Sequence, residues 1–206
     1  MQIQKHFITS SSPFEVIFNQ GSVVSFRHFK GAIVNAANTS CLGGGGVDGA
    51  ISTAGGELLF QHRLALPIIP SDDDDGREEI RCPVGGAKLT GPGEYGSLQV
   101  PYVIHAVGPC YWDFRRSEYD QADEMLQSAY RQSLMRAKEV QVEAVAFSLI
   151  SAGVYKGQRS LEQVLQIALE TICNFEGYDE LKQVHIFAFN EREMKVLQRV
   201  FEKVTS

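Results

Sequence analysis

The sequence lacks the features that mark secreted, membrane-spanning and metal-clustered proteins. Its first residues, MQIQKHFITSSSPF, have no basic segment followed by an apolar run, as a secretory signal would. No stretch approaches the roughly 20 apolar residues that a helix needs to cross a bilayer. The cysteines, Cys41, Cys82, Cys110 and Cys173, form no CxxC pair, which argues against a metal or redox site. We therefore expect an intracellular, cytoplasmic chain with reduced thiols, no metal and no cofactor.

An excess of basic residues is also missing. The chain has 19 Lys and Arg against 25 Asp and Glu, for a net charge of -6. Nucleic acids and anionic membranes need clustered Lys and Arg, so neither is expected as the main partner. The 206 residues and 44% hydrophobic content suffice for one packed domain spanning residues 1–206. A monomer is expected.

One acidic segment, about residues 64–82, interrupts the pattern of the chain. It contains two prolines and the run Asp72–Asp75, which cannot be packed without partners. We interpret it as an exposed loop inserted into the domain. A cation site or a site for a basic partner is the alternative, although the run lacks the spacing of a calcium loop.

Short apolar runs alternate with helical patterns. Continuous Val, Ile and Phe are typical of strands covered on both faces, and six such runs occupy residues 3–8, 14–18, 32–35, 102–107, 144–150 and 183–189. Helical patterns cover 49–66 and 119–138. Two more helices are predicted after Ser160 and Asn190, each followed three residues later by the Gln or Glu of a capping box. The alternation predicts an α/β domain with helices on both faces of the sheet.

Four consecutive glycines, Gly43–Gly46, join the strand at 32–35 to the helix at 49–66. A linker would join domains, whereas this run joins two elements of one domain. Glycines let the backbone approach a ligand closely, and a loop that ends at a helix N-terminus favours a phosphate. The run lacks the Lys-Ser/Thr ending of a triphosphate loop and the GxGxxG spacing of a dinucleotide fold. It therefore predicts a phosphate-bearing ligand and nothing narrower.

Asp48 follows the glycine run by two residues. An acid in the first turn of a helix complements the helix dipole, which explains it without any function. An acid that activates water near a reacting carbon would also tolerate the cost of standing beside a bound anion. The residues alone leave both interpretations open.

A second glycine-containing loop, SAGVYKGQ at 151–158, follows the strand at 144–150. Open α/β sheets bind ligands at the carboxyl ends of their strands, so the two loops are expected to face one ligand. Tyr155 would stack there on a sugar or base, or remain a half-buried loop aromatic. His105 lies in an apolar strand and is expected to be a core histidine.

Five motifs together resemble a macrodomain of the MacroD type. In order they are NAAN (35–38), LGGGGVDGAI (42–51), CPVGGAKLTG (82–91), VPYVIHAVGP (100–109) and SAGVYKG (151–157). The similarity spans roughly residues 14–204. It implies a three-layer α/β/α macrodomain with a mixed, mostly parallel central sheet of about six strands.

The resemblance implies an ADP-ribose pocket and an ADP-ribosyl hydrolase. Asp48 matches the acid that orients or activates a water for attack on the linkage, and Asn38 matches a residue that orients the distal ribose. The implied substrates are mono-ADP-ribosylated protein, modified on acidic side chains, and O-acetyl-ADP-ribose. The implied ligand-binding residues are Gly21, Ser22, Val23, Asn35, Gly43, Gly44, Gly45, Gly46, Val47, Ser151, Ala152, Gly153, Val154, Tyr155, Phe189 and Asn190.

Two positions depart from the family pattern. Ser22 stands where the family usually has an Asp that accepts the adenine amino group, which predicts a weaker contact with adenine. Ser52 stands four residues after Asp48, where MacroD-type hydrolases often have His. Both departures keep two alternatives open: a non-catalytic reader of ADP-ribose, and a binder of another phosphorylated nucleotide or sugar.

Overall fold

The computed structural model describes the backbone of residues 4–7 and all atoms of residues 13–70 and 79–205. The run Asp72–Asp75 lies outside these residues, as do all of residues 71–78 of the predicted acidic loop. On the N-terminal side of this loop, the first helix ends at Leu64. After the loop, the buried residues Arg81 and Cys82 lead back into the sheet.

The described residues form a seven-stranded sheet in the order β1-β2-β7-β6-β3-β5-β4. The strands are β1 (Gln4–Phe7), β2 (Glu15–Gln20), β3 (Gly31–Ala36), β4 (Ala87–Thr90), β5 (Tyr102–Ala106), β6 (Ala144–Ser148) and β7 (Gln183–Ala188). The five central strands are parallel, while β1 and β4 pair antiparallel at the two edges. The predicted mixed, mostly parallel sheet is confirmed. The added strand is β4, which is short and half polar.

The helices are α1 (Gly46–Leu64), α2 (Tyr119–Glu139), α3 (Leu161–Cys173) and α4 (Glu191–Thr205). The predicted capping box at Ser160 is complete, and at Asn190 the side-chain cap is present while Glu193 accepts from the Phe189 N–H. Ser160 Oγ accepts a hydrogen bond from the Gln163 N–H at 3.1 Å, and Asn190 Oδ1 accepts one from the Glu193 N–H at 3.0 Å. None of the helices in the described ranges has the length and apolar character needed to cross a membrane.

Strand β3 shows why the apolar runs are continuous. Ile33 belongs to a buried cluster with Ile51 and Leu59 of α1, whereas Ala32 and Val34 belong to a cluster built with α2, α3 and α4. Each face of the sheet is therefore covered by helix, and the three-layer α/β/α prediction is confirmed. Each fully buried Ile or Leu contributes about 1.5–3 kcal/mol to this arrangement.

The chain departs in opposite directions from the carboxyl ends of β3 and β6. After β3 it continues to β4 and β5 on one side, and after β6 it continues to β7 on the other. Their residue pairing ends at Val34 and Phe147. Beyond it, Ser148 Oγ donates to the Val34 carbonyl at 2.8 Å and accepts from the Ala36 N–H at 3.2 Å. Such a switch point is where open α/β sheets hold ligands.

Candidate functional site

A cavity of about 670 Å³ opens at this switch point, a volume in the range of small-molecule sites. Two loops form its long walls, residues 44–48 after β3 and 149–155 after β6. Residues 21–23, which follow β2, close one end together with Phe189 and Glu193. The cavity therefore joins the two loops that the sequence predicts to face one ligand.

No lysine or arginine is among the described residues that line the cavity. Gly45 and Gly46 lead into the first turn of α1, and a Cβ on either would meet no atom within 4 Å. The wall here is bare backbone at a helix N-terminus. An anion in the cavity would be held by backbone N–H groups and the helix dipole rather than by side-chain cations.

The second loop depends on a close contact between Gly108 and Ser151. Ser151 has a φ of 54°, which is uncommon for a non-glycine residue and is typical of functional sites. Its Oγ donates to the Pro109 carbonyl at 2.8 Å. A Cβ on Gly108 would overlap that Oγ, so only glycine fits. Sequence reasoning did not name Gly108 as a lining residue, although it ends the VIHAVG stretch.

The only tryptophan of the chain, Trp112, braces the tip of the second loop. Its indole Nε1 donates to the Val154 carbonyl at 3.0 Å, and the side chain is 60% exposed. Arg159, which follows the loop, pairs with Asp123 of α2. Tyr155 lines the cavity from this loop, as predicted. Trp112 is thus a fluorescent reporter of the loop.

Asp48 lies on the cavity wall, yet only 3% of its surface is exposed. Its Oδ1 accepts hydrogen bonds from Asn35 Nδ2 and Arg63 Nη2, both at 2.8 Å. Its Oδ2 is buried and has no hydrogen-bond partner in the described structure. The carboxylate therefore bonds to side chains from β3 and α1, not to the first-turn N–H groups that a helix-capping acid would contact.

Arg63 is a functional candidate that sequence reasoning missed. It is 1% exposed, and besides Asp48 it bonds to Ser52 Oγ through Nη1 at 2.8 Å and to the Cys41 carbonyl through Nε. Ser52 in turn donates to the Asp48 backbone carbonyl at 2.8 Å. Ser52, which departs from the family pattern, thus accepts a hydrogen bond from a buried guanidinium.

A break in α1 makes the pairing of Asp48 with Arg63 possible. The two residues are 15 apart in sequence, which in a straight helix is about 22 Å along the axis. Gly56 has a φ of 63° and a non-helical ψ of -159°, values that glycine adopts readily. The second half of α1 therefore changes direction, and helical periodicity alone could not reveal the contact.

Asn38 shapes the first loop beside Asp48. Its Nδ2 donates to the Gly43 carbonyl at 2.9 Å, and its Oδ1 accepts from Ser40 Oγ at 2.9 Å. A methyl group on Gly44 would lie 3.2 Å from Asp48 Oδ2 and 3.7 Å from Asn38 Nδ2. The two candidate catalytic side chains therefore meet at one point of the wall.

A row of uncharged, hydrogen-bonded side chains lies beneath Asp48. Asn35 Nδ2 is 3.3 Å from His105 Nδ1, and His105 Nε2 is 3.0 Å from Thr90 Oγ1. Burial, and secondarily the charge of Arg63, lower the pKa of His105 well below its usual 6.5, so the ring is neutral at pH 7. The prediction that His105 is a core histidine is confirmed, since it is fully buried.

Most of the predicted site residues line the cavity. Asn35, Gly43 and Asn190 do not, and each instead contacts or adjoins a residue that does. Sequence reasoning did not name nine further lining residues: Ala36, Ala37, Ala50, Gly108, Ser148, Leu149, Ile150, Phe187 and Glu193.

Glu193 brings a carboxylate to the end of the cavity where Ser22 lies. Its Oε2 accepts from the Phe189 N–H at 2.7 Å. Gly21, beside Ser22, bonds through its N–H to the Ala188 carbonyl at 2.9 Å, which holds the two segments together. Ser22 Oγ accepts from the Val24 N–H at 3.4 Å. The acid at this end is thus on α4, and its capping box was the signal that could have located it.

The Macro domain family model matches residues 34–168, a range that contains both loops. The chain belongs to the Macro domain family. It is 36% identical over 170 residues to an O-acetyl-ADP-ribose deacetylase from Salmonella newport, covering 82% of this chain and 85% of that protein.

Solved macrodomains have the same fold. The Oceanobacillus iheyensis macrodomain with ADP has a TM-score of 0.79 and 27% identity, covering 99% of this chain and 97% of that one. The Trypanosoma brucei macrodomain in complex with ADP-ribose has a TM-score of 0.71 and 32% identity, covering 89% of this chain and 68% of that one.

Acidification is expected to destabilise this macrodomain through His105. The folded chain keeps the pKa of His105 well below 6.5, while the unfolded chain titrates near 6.5. Stability from this group is therefore complete above pH 6.5 and falls below it, by up to about 1.4 kcal/mol per pH unit. Urea unfolding at several pH values should give a steeper acid loss for wild type than for His105→Gln. Equal slopes would contradict the buried, neutral ring.

Proposed function

We propose that this macrodomain binds ADP-ribose in the cavity and hydrolyses its bond to a modified group. The substrates would be mono-ADP-ribosylated protein, with acidic side chains as the modified residues, and O-acetyl-ADP-ribose. ADP-ribosylated protein would be its macromolecular partner. The MacroD type is the part of the family whose motifs this chain resembles.

Binding is supported by the shape and chemistry of the cavity. A diphosphate suits the two loop walls, residues 44–47 and 151–155, because backbone N–H groups and a helix N-terminus can hold it without a side-chain cation. Two macrodomains of the same fold carry ADP or ADP-ribose. Phe189 is 72% exposed at the Ser22 end, where an adenine ring would have an aromatic face to stack on.

Asp48 carries the proposal of hydrolysis. Its Oδ1 is occupied by Asn35 and Arg63, while Oδ2 is buried beside Gly44 without a partner in the described structure. An unpartnered buried carboxylate oxygen is costly, and a water or a ribose hydroxyl would satisfy it. A water held there would be oriented, and its proton accepted, during attack on the linkage.

A non-catalytic reader is the competing function. The buried Asp48–Arg63 pair would then be purely structural. The Salmonella newport relative named as a deacetylase favours the enzyme.

Two measurements on the wild-type chain separate these functions. ADP-ribose is titrated by calorimetry, with Trp112 fluorescence as a second signal. Release of ADP-ribose is then followed from protein mono-modified on acidic side chains, and deacetylation from O-acetyl-ADP-ribose. We expect binding and turnover of at least one substrate. Binding with no turnover of either would establish a reader, and no binding would exclude both functions.

A further inference from the structure

We propose that Arg63 is a positioning residue that holds the Asp48 carboxylate in the orientation that the reaction requires. This inference rests on the proposed hydrolytic function. Arg63 does not line the cavity, and it reaches the site through Asp48. It would therefore act on the chemistry without touching the substrate.

The contacts of Arg63 fix the guanidinium in one place. Its Nε is bound to the Cys41 carbonyl and its Nη1 to Ser52 Oγ, which leaves Nη2 for Asp48 Oδ1. A planar guanidinium anchored by three bonds cannot rotate. Together with Asn35 on the same oxygen, it sets the carboxylate plane so that Oδ2 lies beside Gly44.

Arg63 also supplies a positive charge beside Asp48. The Asp48 carboxylate is 3% exposed, and a buried carboxylate needs a paired cation to offset the hydration it has lost. Arg63 supplies that cation, with its Nη2 2.8 Å from Asp48 Oδ1.

Arg81 offers a matched control within the same chain. It is 2% exposed like Arg63, but its Nη2 pairs with Glu79, and neither its side chain nor that partner lines the cavity. Replacing it removes a buried arginine without removing a partner of Asp48. Any effect common to both arginines is therefore structural.

The test compares Arg63→Met, Arg63→Lys, Ser52→Ala and Arg81→Met in turnover of the substrate that wild type accepts, and in calorimetric binding of ADP-ribose. General acid–base catalysis contributes about 10²–10⁴-fold, so we expect kcat of Arg63→Met to fall about ten-fold or more. We expect Kd to change about three-fold or less, because Arg63 makes no cavity contact. Arg63→Lys should recover part of kcat, because it restores the charge. Arg81→Met should keep the wild-type kcat per folded molecule.

Two further results make the test decisive. Ser52→Ala leaves both charges in place and frees one guanidinium N–H, so kcat should fall while Kd is unchanged; this variant and Arg63→Lys carry the test if Arg63→Met does not fold. Equal losses for Arg63→Met and Arg81→Met, or a Lys variant no better than Met, would overturn the positioning role. An inactive wild type would instead overturn the proposed function, and the inference with it.

Discussion

Asp48→Asn is expected to slow the release of ADP-ribose from modified protein by about 10²–10⁴-fold, which is the usual contribution of a general base. The variant should still bind ADP-ribose. The change retains the size of the side chain and removes its charge. The Oδ2 position that faces Gly44 can then no longer accept a proton from water. Steady-state kinetics with a substrate protein mono-modified on acidic side chains measure the loss of rate. Calorimetric titration of the same enzyme preparation with ADP-ribose measures binding.

Glu57→Gln is the matched control for this variant. Glu57 lies in the same helix, α1, but is exposed and bonds to Gln61. It should leave kcat and Kd unchanged. A rate for Asp48→Asn within a few-fold of wild type would remove Asp48 from the mechanism and restore its interpretation as a structural first-turn acid.

The Asp48–Arg63 pair is also expected to dominate a stability cycle. Both side chains are nearly inaccessible, at 4% and 1% exposure, and removing one partner of a buried pair typically costs about 3–5 kcal/mol. Arg63→Met alone and Asp48→Asn alone should each lower the free energy of unfolding by about that amount. The double variant should lose much less than the sum, because no unpaired charge remains. Urea denaturation of the four proteins measures the cycle.

Additive losses in that cycle would mean that the two charges do not depend on each other. The cycle needs no ligand and no substrate. It therefore tests the geometry of the site separately from its proposed function, which the kinetic comparison of Asp48→Asn addresses.

Much of the fold follows from local patterns in the sequence. Buried parallel strands need apolar residues on both faces, so runs such as the one around Ile33 identify themselves. The capping boxes at Ser160 and Asn190 locate helix starts within a residue or two. Strand β4 escaped prediction because it has only four residues. Its polar Lys88 and Thr90 alternate with apolar residues, but over too short a stretch to stand out from a loop.

The site was only partly predictable, because some of its residues are brought together from distant parts of the sequence. Loops that follow strands can be placed by topology, so the glycine run and the 151–158 loop were expected to face each other. Asp48 remained ambiguous because its partners come from elsewhere: Asn35 from β3 and Arg63 from beyond the break at Gly56. In the sequence, Ser52 is likewise only a departure from the histidine often found at this position in the family. In the structure, it accepts a hydrogen bond from the buried guanidinium of Arg63.

A crystal structure of this macrodomain with ADP-ribose tests the central claim most directly. The account predicts one molecule in the 670 Å³ cavity, with its diphosphate between residues 44–47 and 151–155. The terminal ribose would lie within hydrogen-bond reach of Asp48 Oδ2, directly or through one water. A ligand bound outside the cavity, or one whose terminal ribose points away from Asp48, would contradict it.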